Sequence, residues 1–145
     1  GVQTCALPIS IIDAETSVAL FGNIFFNKAP LHDGASIIRD GKLFAAGCIL
    51  PLTTNQNVDI NLGTRHRAGL GISEQSDAVV LIVSEETGVI SLAVNGILLR
   101  EFTREALIKK LEQFLIYDRG YDDEEQSRKF FQKNPKSSNR EKDDE

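Results

Sequence analysis

The stretch ASIIRDGKLFAAGCIL, residues 35–50, decides the fold class. Two apolar runs, residues 35–38 and 43–50, flank Arg39-Asp40-Gly41-Lys42. The Asp-Gly pair supplies the positive backbone angles of a tight turn, so the runs are expected to be two antiparallel strands. Before them, Val18, Leu20, Phe21, Ile24 and Phe25 recur at helical spacing and predict a helix over residues 13–26, ended before Pro30. After them, residues 51–62 are polar and Asn-rich, a surface loop leading into Gly63-Thr64-Arg65-His66-Arg67 and a short helix over residues 68–74. Ala78-Val79-Val80-Leu81-Ile82-Val83 is a continuous apolar run, expected of a central strand covered on both faces. Ser84-Glu85-Glu86-Thr87-Gly88 turns it into a strand over residues 89–94, and Asn95-Gly96 makes a second hairpin into residues 97–100. Thr103 is a helix cap, with Phe102 and Leu107 as a hydrophobic staple and Leu107, Ile108, Leu111, Phe114 and Leu115 as a buried stripe. This order predicts an α/β domain: a mixed, mostly antiparallel, twisted central sheet flanked by helices.

Composition narrows the class. The chain has 145 residues, 41% hydrophobic and 26% charged, enough for one modest domain with a core. No apolar run approaches the roughly 20 residues of a membrane-spanning helix. A net charge of -5 argues against a bulk binder of nucleic acid, whose footprint would be basic. Any polyanion must therefore meet a local cationic site. Two cysteines, Cys5 and Cys48, make no disulfide framework and suit a reducing compartment, with Cys48 as a small buried hydrophobe. The chain has no methionine and begins at Gly1, which reads as a fragment. Residues 1–10 lack a helical or strand period, resemble translated sequencing-adapter read-through and are expected to be a non-native leader. Residues 11–117 form the domain, and the charged residues 118–145, with few large apolar groups, are expected to be a disordered tail.

Three polar clusters carry the candidate chemistry. The first, Leu31-His32-Asp33-Gly34-Ala35, enters a strand. Gly34 and Ala35 leave room for a flat ligand near the backbone, and Asp33 is suited to orienting a hydroxyl or holding a cation. On spacing alone, an ordinary Asp-Gly turn is the simpler reading. The second, Gly63-Thr64-Arg65-His66-Arg67, combines guanidinium forks with a hydroxyl and the free N–H groups of a helix start, the donors a phosphate chain requires. A solvated basic stretch is the alternative, but three cationic or near-cationic neighbours repel one another and gain little without an anion. The third, Ser84-Glu85-Glu86, lies at the C-terminal end of the most apolar strand, where it is either a metal-holding edge or a polar turn. Together the clusters suit metal-assisted phosphoryl or nucleotidyl transfer.

Asp33-Gly34-Ala35 and Arg65-His66-Arg67 resemble the DGA and RHR signatures of the diadenylate cyclase (DAC) domain family. The resemblance extends over residues 11–116, through Asn23-Ile24-Phe25-Phe26, Pro30-Leu31-His32, Leu62-Gly63-Thr64, Gly71-Ile72-Ser73-Glu74, Val83-Ser84-Glu85-Glu86-Thr87-Gly88 and Asn95-Gly96. Within the family the pattern is more similar to the membrane-anchored bacterial cyclase than to the DNA-scanning one. It implies a DAC-domain fold and condensation of two ATP into cyclic di-AMP and two pyrophosphates, with Mg²⁺, Mn²⁺ or Co²⁺. By that resemblance Asp33 activates the ribose 3′-hydroxyl, and Arg65, His66 and Arg67, with Gly63 and Thr64, bind the triphosphate. Gly34 and Ala35 also border the nucleotide, Ser84 and Glu85 line its phosphate side, Leu50 lines the adenine side, and His32 and Glu86 contact the metal. It further implies an active homodimer with its nucleotides face to face, and regulatory protein partners that act by blocking that dimer.

The family's domain starts with a further helix and strands, and the anchored subgroup with transmembrane helices, before the segment matched here. Part of the sheet and of the adenine pocket is therefore expected to be missing, and the fragment itself to be soluble, whereas the whole protein would sit at the cytoplasmic face of the bacterial membrane. Ile49 stands where some members place an adenine-stacking aromatic, leaving the base to shape and apolar contact. The rival reading is a non-catalytic module that senses ATP or a cyclic dinucleotide.

Overall fold

In the computed structural model, which describes residues 10–100 and 102–117, the deciding hairpin is formed as the sequence predicts. Strands β2 (Ala35–Arg39) and β3 (Lys42–Cys48) pair antiparallel, with Arg39 opposite Lys42. Asp40 and Gly41 between them both take positive φ, 53° and 76°. The expected leader covers residues 1–9, which lie outside the described residues, and Ser10, which pairs with Ala46. The charged tail over 118–145 also lies outside them.

The helix predicted over 13–26 is shorter, because its first residues belong to a strand. β1 (Ser10–Glu15) alternates half-buried and exposed residues, the period of a strand with one covered face, and pairs antiparallel with β3. Asp13, at φ 49°, sits where the register shifts, the mark of a bulge, and its carboxylate lies 3.7 Å from Lys42 Nζ. Helix α1 (Val18–Ile24) starts where Ser17 Oγ accepts the Leu20 N–H at 3.0 Å. Its Ile24, Leu20 and Phe21 close over Leu43 and Ala46 of β3, with Ile12 and Leu31 at the margin.

The second half is built on helix α2 (Thr64–Gln75), which begins four residues before its predicted start. It packs on β4 (Val80–Val83), β5 (Ile90–Val94) and β6 (Ile97–Arg100), an antiparallel sheet in the order β4-β5-β6. Leu70, Ile82 and Ala93 form its core, flanked by Val58, Leu62, Val80 and Leu98. Asn95 and Gly96, both at positive φ, make the predicted hairpin turn.

The α/β, antiparallel architecture with flanking helices is therefore as expected, and its described strands divide into two three-stranded sheets, β1-β3-β2 and β4-β5-β6. One expected position changes. The apolar run at 78–83 is an edge strand, not one covered on both faces: Ile82 is buried while Leu81 and Val83 are half exposed. The covered strand is β5, whose Ser91, Leu92 and Ala93 are all buried. The final helix, α3 (Arg104–Glu112), has its predicted cap, Thr103 Oγ1 accepting the Ala106 N–H at 3.2 Å, and runs into a π-helical turn at Gln113–Tyr117. Its apolar stripe is not buried as expected: none of its residues is fully covered, and Ile108 and Leu115 stay exposed. Helical period identifies residues on one face; it does not supply an element to cover that face.

Candidate functional site

The site lies at the seam between the two halves, and each half contributes different chemistry. From the first half, the loop between α1 and β2 carries His32 and Asp33. His32 Nδ1 lies 3.5 Å from Asp33 Oδ1, with the His32 side chain largely covered and that of Asp33 96% exposed. Gly34 follows at φ 93°, and a Cβ there would sit 2.8 Å from the Gly47 carbonyl carbon and 2.9 Å from the Cys48 oxygen. The room that the sequence suggests for a ligand is thus occupied, on the Cβ side, by the chain's own β3 backbone. Glycine is needed for the backbone just after Asp33 to pack on the end of β3. Ala35 then starts β2 opposite Cys48.

From the second half come the first turn of α2 and the end of β4. Gly63 takes an extended conformation and offers no side-chain cap, so the first-turn N–H groups after it have no capping side chain. Arg65 and Arg67 put positive charge at the positive end of the helix dipole, an arrangement that costs about 0.3–1 kcal/mol per charge and is relieved by an anion. Consecutive helical residues point about 100° apart, so the side chains of the Arg65-His66-Arg67 triplet leave the helix in different directions.

The three side chains indeed diverge. Arg65 reaches the end of β4, donating to Glu85 Oε1 at 2.5 Å and to the Val83 carbonyl at 3.4 Å. His66 turns into the sheet, 6% exposed, with Nε2 3.5 Å from Ser91 Oγ of β5. Burial, and secondarily the Arg100 guanidinium, push its pKa below the usual histidine value, so it is neutral at pH 7. Arg67 turns back, donating through Nε to the Leu62 carbonyl at 3.2 Å and through Nη2 to that of Asp59 at 3.5 Å. Thr64 stays exposed at the helix start.

Of the third cluster, Ser84 closes the β4–β5 turn: its N–H donates to the Val89 carbonyl, its carbonyl accepts the Gly88 N–H, and its Oγ accepts the Thr87 N–H. Glu85 joins the seam. Ligand atoms of His32, Asp33 and Glu85 lie within 4.8 Å of one another, a nitrogen and two carboxylate oxygens of the kind that suits Mn²⁺, Mg²⁺ or Co²⁺. Glu86, the acidic metal contact expected from the sequence, is exposed and is not in this group; its neighbour Glu85 is.

Sequence reasoning assigns no role to Thr53 or Glu74. Thr53 lies in the loop after Leu50 but is 8% exposed, and its Oγ1 donates to Glu74 Oε1 at 2.6 Å while its N–H donates to the Arg67 carbonyl at 2.9 Å. Gly71 is the notch that admits this loop: a Cβ there would lie 2.0 Å from the Pro51 oxygen. A glycine inside an otherwise helical pattern was the available signal.

Residues 4–98 match the family described as DisA bacterial checkpoint controller nucleotide-binding, the DAC domain. The chain is 50% identical over 101 residues to the cyclic di-AMP synthase CdaA of Bacillus subtilis, covering 70% of this chain and 37% of that protein. It is 56% identical over 87 residues to the CdaS synthase of the same organism, covering 60% and 42%. It is 46% identical over 105 residues to a diadenylate cyclase of Listeria monocytogenes, covering 72% and 38%. The chain thus spans about two-fifths of the length of these curated relatives. Its fold is similar to the crystal structure of DacA from Staphylococcus aureus, with a TM-score of 0.72 at 41% identity over 79% of this chain and 74% of that one. It is also similar to a hypothetical membrane spanning protein from Bacillus cereus, with a TM-score of 0.69 at 43% identity over 71% and 50%.

Proposed function

The chain belongs to the DAC family of nucleotide-binding domains, and from that premise we propose that it is the catalytic module of a diadenylate cyclase, a nucleotidyltransferase that joins two ATP into cyclic di-AMP. The observation that carries the reading is the seam, where His32, Asp33 and Glu85 converge beside Arg65. In each half-reaction the ribose 3′-oxygen of one ATP bonds to the α-phosphorus of the other, the α–β bridging bond breaks, pyrophosphate leaves, and the hydroxyl proton is lost. Asp33, exposed and fixed by Gly34 against β3, orients that hydroxyl and accepts its proton. Arg65, Thr64 and the uncapped N–H groups after Gly63 bind the triphosphate and stabilise the leaving pyrophosphate. His32, Asp33 and Glu85 would hold a divalent metal, which supplies charge neutralisation on the phosphates.

His66 and Arg67 act at one remove, seating the first turn of α2 on β5 and on the loop before it. Leu50 and Ile49, leaving β3 beside Gly34, line the adenine side. A product with two-fold symmetry and one nucleotide per subunit calls for a homodimer with apposed sites, the point at which a regulatory protein partner would act. Among the described residues no helix is long and apolar enough to cross a membrane. The whole protein is read as anchored at the cytoplasmic face of the cell membrane, a reading whose membrane part alone is supported by the name of the Bacillus cereus neighbour.

The test is incubation with ATP and Mn²⁺, with cyclic di-AMP detected by mass and Asp33→Asn as the control. Product from the parent and none from the variant is expected. ATP binding by a face-to-face dimer without turnover would replace the cyclase with a nucleotide-sensing module.

A further inference from the structure

The two halves of the site are joined by one short stretch of chain. Its first end is β3, whose Gly47 and Cys48 backbone packs against Gly34, next to Asp33. Its second end is Thr53, which lies on α2, the helix whose first turn carries Arg65. Between these ends only residues 49–52 intervene, so the placement of Thr53 on the helix governs how far the Asp33 side stands from the Arg65 side.

Three independent features fix that placement. The Thr53 N–H donates to the Arg67 carbonyl at 2.9 Å. The Thr53 hydroxyl donates to the Glu74 carboxylate at 2.6 Å and also accepts the Asn55 N–H at 3.2 Å, so both its donor and its acceptor capacity are used. Gly71 lets the Pro51–Thr53 backbone lie directly on the helix. A loop whose composition suggests a solvated connection is instead anchored to the helix face. The bond to a carboxylate is the strongest class of neutral-donor contact, and it is partly buried.

We infer that Thr53 and Glu74 are positioning residues: their hydrogen bond locks the exit of β3 onto α2 and sets the register between the metal-and-hydroxyl side of the site and its phosphate side. This rests on the cyclase reading above, since that reading requires one nucleotide to bridge both sides. Neither residue is among those proposed above to hold the nucleotide. Their loss leaves each half intact and spoils only ligands that need both halves.

The test titrates the full chain with Mn²⁺·ATP, which spans the seam, and with metal-free inorganic tripolyphosphate, which needs only Arg65, Thr64 and the helix start. Thr53→Val, isosteric but without the hydroxyl, and Glu74→Ala, at an exposed position, are each expected to weaken Mn²⁺·ATP about tenfold. Tripolyphosphate should change by less than about twofold, the double variant should be no weaker than the weaker single one, and Thr53→Ser should restore parental binding. Equal losses for the two ligands would make the contact merely structural and overturn the inference, as would no loss at all or a Thr53→Ser variant as weak as Thr53→Val. If the parent forms no cyclic di-AMP from Mn²⁺·ATP, the cyclase reading itself fails, and the inference with it, a result visible in the parent alone.

Discussion

The half built from β1, α1, β2 and β3 and the half built from α2, β4, β5 and β6 each have a small apolar core, Ile24, Leu43 and Ala46 in one and Leu70, Ile82 and Ala93 in the other. They differ in how they hold chemistry. The first presents His32 and Asp33 on a loop, with Asp33 open to solvent beside His32 and the Gly34 backbone packed on β3. The second presents Arg65 and Glu85 from the ends of regular elements, already paired with each other. In the proposed cyclase this difference would give the two jobs of nucleotidyl transfer different supports: phosphate binding on a preorganised helix start, and proton abstraction on an exposed group whose register depends on the seam.

The sharpest way to break this comparison is to prise the halves apart. Gly71→Ala would thrust a methyl into the Pro51 and Leu52 backbone, and a destabilisation of about 3 kcal/mol is expected, measured by denaturant unfolding. Helix propensity alone predicts the opposite sign, a gain of about 1 kcal/mol, so a stabilised variant would deny the contact.

Within the second half, Arg65→Ala should weaken tripolyphosphate binding about tenfold with little effect on stability, because its partner Glu85 is exposed. Arg67→Ala should do the reverse, lowering stability by about 1 kcal/mol through loss of its bonds to the loop carbonyls and weakening the anion less. Equal affinity losses with unchanged stability would mean that the two arginines act as one cluster after all.

A smaller effect separates His66 from its neighbours. Its folded pKa lies below its unfolded value near 6.5, so between the two the unfolded chain binds more protons and stability rises with pH. Stability from this group is therefore complete above about pH 6.5 and lost as pH falls through that value toward the folded pKa. His66→Asn should flatten that limb in denaturant midpoints measured from pH 7.5 to 5.5, and an unchanged limb would assign the pH dependence to other groups. Last, Glu86→Gln should leave Mn²⁺ binding as it is while Glu85→Gln weakens it; the opposite result would restore Glu86 as the metal contact.

Much of this was legible because it depends on local chemistry. Both hairpin turns follow from Asp40-Gly41 and Asn95-Gly96, and the helix cap at Thr103 from the hydroxyl geometry that a helix start needs. That the polar clusters sit at element ends was legible too, although the sequence expected Glu86 rather than Glu85 beside His32. What escaped depends on tertiary placement. β1 carries too few apolar residues to separate a one-sided strand from the first turn of a helix, and the 78–83 run looks central although its outward Leu81 and Val83 are half exposed. Thr53 reads as solvent-facing in an Asn-rich loop, since nothing local reveals that Gly71 lies beneath it. The basic triplet reads as one run in the sequence, and only its place in the first turn of α2 shows that Arg65, His66 and Arg67 meet different partners there.

The most direct test of the seam is Mn²⁺ binding to the full chain, followed by the loss of the free-ion electron paramagnetic resonance signal. The account predicts that Asp33→Asn in one half and Glu85→Gln in the other each weaken it about tenfold or more, because one ion takes ligands from both. Parental Mn²⁺ affinity in the Glu85→Gln variant would contradict it, leaving a metal site, if any, within the first half alone.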